Sequence, residues 1–423
     1  DTPPPAAVAR ALATTRSPFE HRAVVVGADP AGLGRGLAAL MTGQDTEHAL
    51  TGESAAREDR TVFVFPGQGS QWEGMGRRLS AQSPVFAARF AACARALRPY
   101  VDWDPHAVLA GEPDAPAPDG AAVMQPLLWA VMVSLAAVWE AAGVVPDAVV
   151  GHSQGEIAAA TVAGALTLED AARIVAVRAA ALTGLGVEGG MLSVVLPVEL
   201  VRELLEPFGD RLAVAAVNAP ATTVVSGEPD ALVEFERVLR KRKAMRWRVP
   251  VTDFVAHSRL CEPLAETLPR LLADIRPRPA AVPLFSTVHG RLVDGEELGP
   301  RYWYANVRQT VRFAEAVEAL AATGHRTFVE VSAHPVLLPA VQETLAARTD
   351  LPDPLVIDTL RRDDDGADRL LRSIGTAHVH GLPVDWTAVL PAPADVRDAA
   401  RRVELPTYAF QHRRFWPPAR PAA

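Results

Sequence analysis

Gly151-His152-Ser153-Gln154-Gly155 follows the apolar run Ala148-Val149-Val150 and precedes the alanine-rich stretch Ile157-Ala158-Ala159-Ala160. The pattern reads as a strand, a tight turn with serine at its apex, then a helix. This is a nucleophile elbow, in which flanking glycines let strand and helix approach closely and leave the hydroxyl exposed. A helix starting just after Ser153 aims backbone N–H groups and positive dipole at any oxyanion forming there. That is the chemistry of acyl transfer through a serine ester. Alone, a G-x-S-x-G in a glycine-containing chain is equally well explained by chance. The rest of the chain must supply a base and a substrate anchor.

A serine hydroxyl is a poor nucleophile at neutral pH and needs a base within hydrogen-bond reach. Of the 11 histidines, His257 in Asp253-Phe254-Val255-Ala256-His257-Ser258 is the candidate, because it follows the last strand of an inserted unit and returns the chain toward the elbow. His152 adjoins the serine, but the turn should send its ring away, into a packing role. Arg178 lies on an otherwise apolar predicted helix, Arg173 to Leu182. A guanidinium there is costly unless an anion meets it. That anion is either an internal Asp or Glu, or a substrate carboxylate gripped by the two-pronged fork. Chemistry alone leaves both readings open.

These side chains need elements to position them. A chain of 423 residues suggests two or three compact units at ~150 residues each. With 49% hydrophobic and 22% charged residues, it reads as globular, and its net charge of −8 argues against nucleic acid as a partner. The two cysteines, Cys93 and Cys261, read as core thiols in a reducing, cytoplasmic compartment. No apolar segment is expected to reach the ~20 residues that span a bilayer, and no signal peptide is visible. The chain lacks an initial methionine and gathers some of its 36 prolines at its ends, so it is expected to be cut from something longer.

Residues 1–60 carry a predicted strand, Arg22 to Gly27, then a helix from Gly32 to Met41. Gly27-Ala-Asp-Pro-Ala-Gly32 lacks dinucleotide-loop spacing and reads as an ordinary turn. Residues 61–187 open on the strand Val62-Phe63-Val64-Phe65, followed by Pro66-Gly67-Gln68-Gly69-Ser70-Gln71. Residues 189–252 read as strand Leu192–Val195, helix Val198–Phe208, strands Val214–Val217 and Thr223–Ser226, helix Asp230–Arg240, and strand Met245–Val251. That βαββαβ order is a ferredoxin-like unit inserted between halves of a larger α/β domain. Residues 253–350 return to helix–strand alternation, and the remainder is rich in arginine and proline.

Phe65-Pro-Gly-Gln-Gly-Ser-Gln71, Gly151-His-Ser-Gln-Gly-Glu156, Arg178, Asn218 and Phe254-Val-Ala-His257, in this order, resemble the acyltransferase domain of modular type I polyketide synthases. More distantly they are similar to malonyl-CoA:acyl-carrier-protein transacylases. The resemblance runs from Phe63 to Leu338. It implies an α/β-hydrolase-like large domain with a central parallel sheet at 61–188 and 253–360, and the ferredoxin-like small subdomain at 189–252. The flanks, 1–60 and 361–423, resemble the end of a ketosynthase–acyltransferase linker and a C-terminal helix with post-acyltransferase linker.

The resemblance further implies that Ser153 is acylated and that His257 is its base. A backbone carbonyl from Asn306–Phe313, rather than an aspartate, would orient the histidine. The N–H groups of Gln68 and Gln154 would form the oxyanion hole, where one donor is worth ~3–4 kcal/mol. Gln125 would line the pocket, and Arg178 would bind the free carboxylate of a malonyl-type unit; His152 and Asn218 take structural or pocket roles. The implied substrates are acyl-CoA and the phosphopantetheine thiol of an acyl carrier protein. Ketosynthase and other domains of the same polypeptide are the implied neighbours. No permanently bound cofactor or metal is needed, and the isolated fragment is expected to be a monomer.

For the extender unit, family members that select methylmalonyl usually carry Tyr-Ala-Ser-His at the base, and malonyl enzymes His-Ala-Phe-His. Phe254-Val255-Ala256-His257 matches neither. Ala256 leaves open the space that a phenylalanine would fill, which predicts tolerance of an α-substituent: methyl, ethyl or larger. A strictly malonyl-specific enzyme and an acyl hydrolase of related fold are the alternatives. Arg237, Arg240, Lys241, Arg242, Lys243, Arg246 and Arg248 cluster in the inserted unit. They read either as a solvated helix end or as a docking patch for an acidic carrier protein.

Overall fold

The computed structural model describes residues 3–54, 60–250, 254–348 and 354–390, with short stretches at 397–398, 403–407 and 409–410. The chain divides into two compact units, Asp1–Phe19 with Asp385–Ala423, and Glu20–Val384. In the first, helix Pro5–Thr15 is tied down by Arg10, which donates to the Leu390 carbonyl at 2.7 Å, and by Arg16, which donates to Leu405 at 3.1 Å.

The second unit holds all three sheets of the described residues. Its first is a two-stranded antiparallel ribbon, His21–Val25 with Ala49–Glu53. Between them, Asp29 caps helix Pro30–Thr42 by accepting from the Gly32 amide at 2.6 Å, so the Gly27–Gly32 run is a strand-to-helix turn.

The central sheet has six strands, in the order Arg291–Val293, Leu284–Ser286, Ala148–Gly151, Arg60–Phe65, His325–Glu330, Leu355–Asp358. All its pairings are parallel except the one at the Arg291–Val293 edge. Val62 to Phe65 and Ala148 to Val150 are fully buried, as expected of parallel strands covered on both faces. Helix Ala121–Ala141 corrects one expectation. With 21 residues and mean hydropathy 1.9, it is long and apolar enough to cross a membrane by length and composition. However, 89% of its apolar window is buried inside the protein. An all-round apolar helix has two possible homes, and this one is a core. Its Trp129 and Trp139 indoles donate to Thr161 at 3.1 Å and Thr359 at 3.0 Å.

The inserted sheet runs Val311–Arg312, Leu212–Ala219, Thr222–Gly227, Gly190–Val194, Arg246–Val249. The last four are antiparallel in the ferredoxin-like order, with helices Val198–Leu205 and Pro229–Lys241 covering one face over Leu192, Val194, Leu212 and Val225. The fold is therefore α/β with a ferredoxin-like insertion. The fifth strand, Val311–Arg312, pairs in parallel with Leu212–Ala219 and was not foreseen. Two residues carry no readable alternation. The predicted helix Val198–Phe208 turns into a 3₁₀ segment at Glu206–Arg211, and Val251, the predicted end of the last strand, lies outside the described residues.

Candidate active site

The elbow forms because two positions tolerate only glycine. A Cβ at Gly151 would run into the Glu156 amide nitrogen, and one at Gly155 into the Phe65 carbonyl oxygen. Ser153 sits between them with φ of 54°, a left-handed conformation that costs a non-glycine residue free energy and recurs at functional sites. Helix Gly155–Val162 begins two residues later.

Across the cleft, His257 also has a positive φ, 58°. Its amide donates to the Val307 carbonyl at 2.8 Å, and its own carbonyl accepts from Ser226 Oγ at 3.1 Å. The ring spans two partners: Nε2 is 2.8 Å from Ser153 Oγ, and Nδ1 is 2.7 Å from the Gln309 carbonyl. A carbonyl can only accept, so Nδ1 carries the proton and Nε2 presents its lone pair to the serine hydroxyl. Burial, and next the nearby Arg178 charge, pull the imidazole from 6.5 down to about 3. The free ring is thus neutral at ordinary pH and able to accept a proton.

Arg178 completes the group. It is 1% exposed, and burial lowers its guanidinium to about 10. Nη1 donates to Gln125 Oε1 at 2.7 Å and Nη2 to Ser153 Oγ at 3.2 Å, while Nε is buried without a partner. Among the described residues no carboxylate pairs with it; Glu156 acts on it only at longer range. Of the two readings open from sequence, the internal salt bridge is therefore absent.

Gln68 and Gln154 both line the same cavity, and neither backbone N–H has an acceptor among the described residues. The Gln154 side chain instead ties back to the Gly67 carbonyl, joining the two loops. His152 turns away from the serine: Nε2 meets Asn218 Oδ1 at 2.8 Å and the ring packs on Phe313, centroids 5.8 Å apart. Phe254 and Ala256 face the cavity, of about 150 Å³, together with Met191, Val224, Val249 and Val336. Val255 does not; its side chain fills the space beside Gly189. A larger cavity, about 390 Å³, lies by Arg95, Tyr100 and Glu169 and contains neither nucleophile nor base. Among the described residues no cluster of His, Cys, Asp and Glu could hold a metal.

Sequence reasoning missed what lies beneath the elbow. Glu156, 1% exposed, accepts from the Thr287 amide at 2.5 Å, Thr287 Oγ1 at 2.8 Å, Tyr302 OH at 2.7 Å and Asn306 Nδ2 at 2.9 Å. Asn306 Nδ2 also donates to the Ser153 carbonyl at 3.0 Å. Burial pushes the Glu156 carboxyl up, and its four donors pull it back. The signal was present: one acid in an apolar helix, directly after the elbow glycine.

A neutral imidazole on a strained serine, two free amides and an unpaired guanidinium in one cavity can form, stabilise and break an ester that bears an anionic tail. Residues 62–384 match the family described as acyl transferase domain, and the chain belongs to it. It is 50% identical over 98% of its length to polyketide synthase GfsE of Streptomyces halstedii, and covers 10% of that protein. The first three curated relatives are likewise spanned over only 6 to 10% of their lengths. The acyltransferase domain from module 8 of the salinomycin polyketide synthase is 50% identical, with TM-score 0.87, covering 91% of this chain and 90% of that one. The acyltransferase domain of SpnD, solved in complex with 2-(pent-4-yn-1-yl)malonyl, is 27% identical, with TM-score 0.78 over 90% and 89%. The chain is an acyltransferase domain of the modular polyketide synthase type, a transferase.

Proposed function

We propose that this domain loads an α-substituted malonyl unit from CoA onto Ser153 and passes it to the phosphopantetheine thiol of an acyl carrier protein. The observation that carries the reading is the unpaired Arg178 guanidinium beside Ser153 Oγ. A substrate carboxylate would replace that hydroxyl, and satisfy the idle Nε, as acceptor for the fork. Ser153 is then freed to attack the thioester while His257 Nε2 takes its proton. The Gln309 carbonyl holds the imidazolium as it forms. The amides of Gln68 and Gln154 receive the oxyanion, and its collapse expels the CoA thiol, protonated by His257. The second half-reaction runs the same steps with the carrier thiol as nucleophile.

Tolerance of the α-branch is supported by Ala256, which faces the cavity with only a methyl group, next to the base. A methylene of difference is worth only ~1–3 kcal/mol, so the domain is expected to accept neighbouring homologues. The SpnD domain, solved with an alkynyl-substituted malonyl group, is a precedent within the fold. Incubation with equal malonyl-, methylmalonyl- and ethylmalonyl-CoA, followed by intact mass measurement, tests both parts. The adduct should be branched and absent from Ser153→Ala; exclusive malonyl labelling would overturn the specificity.

A further inference from the structure

One face of the inserted sheet looks into the active-site cavity. Met191 and Val249 are register partners on that face and line the cavity, whereas Leu192 and Val194 point into the helix-covered core. The alternation continues along the edge strand Arg246–Val249. Trp247 pairs with Ser193, so it shares the cavity face with Val249. Arg248 takes the other face, donating to Glu236 of the covering helix at 2.8 Å. Met245, the residue just before the strand, whose carbonyl still accepts from the Val195 amide at 2.9 Å, is next in the cavity-face series.

Trp247 is 50% and Met245 70% exposed, and no strand covers this edge among the described residues. At ~3.3 Å per residue the strip runs about 7 Å from Val249 to Trp247 and about 13 Å to Met245. It ends beside Lys241, the last residue of helix Pro229–Lys241, and the turn residues Arg242 and Lys243, all three exposed and without an ion-pair partner among the described residues. Lys241 complements its helix's C-terminal dipole, but Arg242 and Lys243 lie beyond the helix and are not explained that way.

We infer that this edge is the outer part of the acyl-CoA site, with Trp247 and Met245 packing on the pantetheine arm and the Lys241–Lys243 segment receiving the phosphates of coenzyme A. The inference rests on the acyl-CoA reading above. Its support is order: the reacting end at Ser153, an apolar lane, then concentrated positive charge. Coenzyme A presents a thioester, an arm with a gem-dimethyl group, then pyrophosphate and 3′-phosphate in the same sequence. A carrier protein shares the arm, but its charge is spread over a folded surface. Three consecutive cationic residues, at one helix end and the turn that follows it, suit the compact phosphates of the nucleotide.

The test compares one acyl group carried on CoA, on pantetheine and on N-acetylcysteamine, using the full chain. Lys241→Gln/Arg242→Gln should raise KM for the CoA ester about fivefold at low salt, less at high salt, and leave the pantetheine ester unmoved. Trp247→Ala should raise KM for both longer esters about tenfold, spare the N-acetylcysteamine ester, and be rescued in part by Trp247→Phe. Equal changes with all three esters, or a defect confined to transfer onto carrier protein, would overturn the inference. Calorimetric binding of coenzyme A to Ser153→Ala separates the two readings. If that binding weakens in the Trp247 and basic-turn variants while the parent chain forms no acyl-serine, only the proposed function falls.

Discussion

The two sides of the cavity hold their reactive groups by different means. On the central-sheet side, the turn at Ser153 is set within five residues by glycines that alone permit it, and only its bracing, through Glu156 and Asn306, comes from distant segments. On the other side, His257 depends on partners far away in the chain: Val307, Gln309 and Ser226. The turn that exposes a nucleophile can be built locally, because glycines on either side are enough to permit its strained backbone. A base must be aimed at it from outside, so it needs long-range contacts. The contrast predicts that mutations near Ser153 act through chemistry and stability together, and that those around His257 act on alignment.

The largest effect expected is from Ser153→Ala. Acyl transfer should fall at least ~10⁴-fold with folding intact, read as loss of the acyl adduct and of turnover. Glu156→Ala comes next, because it strands the Thr287, Tyr302 and Asn306 donors in the interior. A cost of about 3–5 kcal/mol should appear as a large drop in Tm, with activity lost in proportion to unfolding. Should the Tm hold, the elbow is secured by its glycines alone.

Arg178→Gln removes the charge beside the base. For the malonyl-type substrate kcat/KM should fall roughly 10²-fold. The pH profile sharpens the case. Arg178 helps depress His257 to about 3, so the parent's acid limb in kcat/KM lies far below neutrality. Without that cation the imidazole becomes more basic, and the limb must move to higher pH. A limb that stays in place would separate the two residues electrostatically. The smallest effect is from Ser226→Ala, which frees one bond to the His257 carbonyl. It should cost about 1 kcal/mol of stability and lower kcat more than it raises KM.

How much was readable beforehand varied with the range of the interaction. The ferredoxin-like order came from alternating apolar residues, each strand carrying its own signal, whereas the two-residue strand Val311–Arg312 carried none. Phe254-Val255-Ala256 could be marked from the chain as a group. Which of the three faces the cavity depends on the backbone around His257, and Val255 turns to Gly189 instead. Helix Ala121–Ala141 shows the same limit, since composition fits a membrane and a core equally well and only burial distinguishes them.

The amino-acid order by itself determined the turn at Ser153, because glycine at 151 and 155 is a local steric requirement. It also placed one cation, Arg178, on an apolar helix that had to find it an anion. Only the tertiary structure decided that no internal acid would meet that cation, that Gln309 would hold the imidazole, and that Glu156 would anchor the elbow. Each of those depends on segments tens to more than a hundred residues apart. Their approach is set by packing of whole sheets and helices, which no short window of sequence contains.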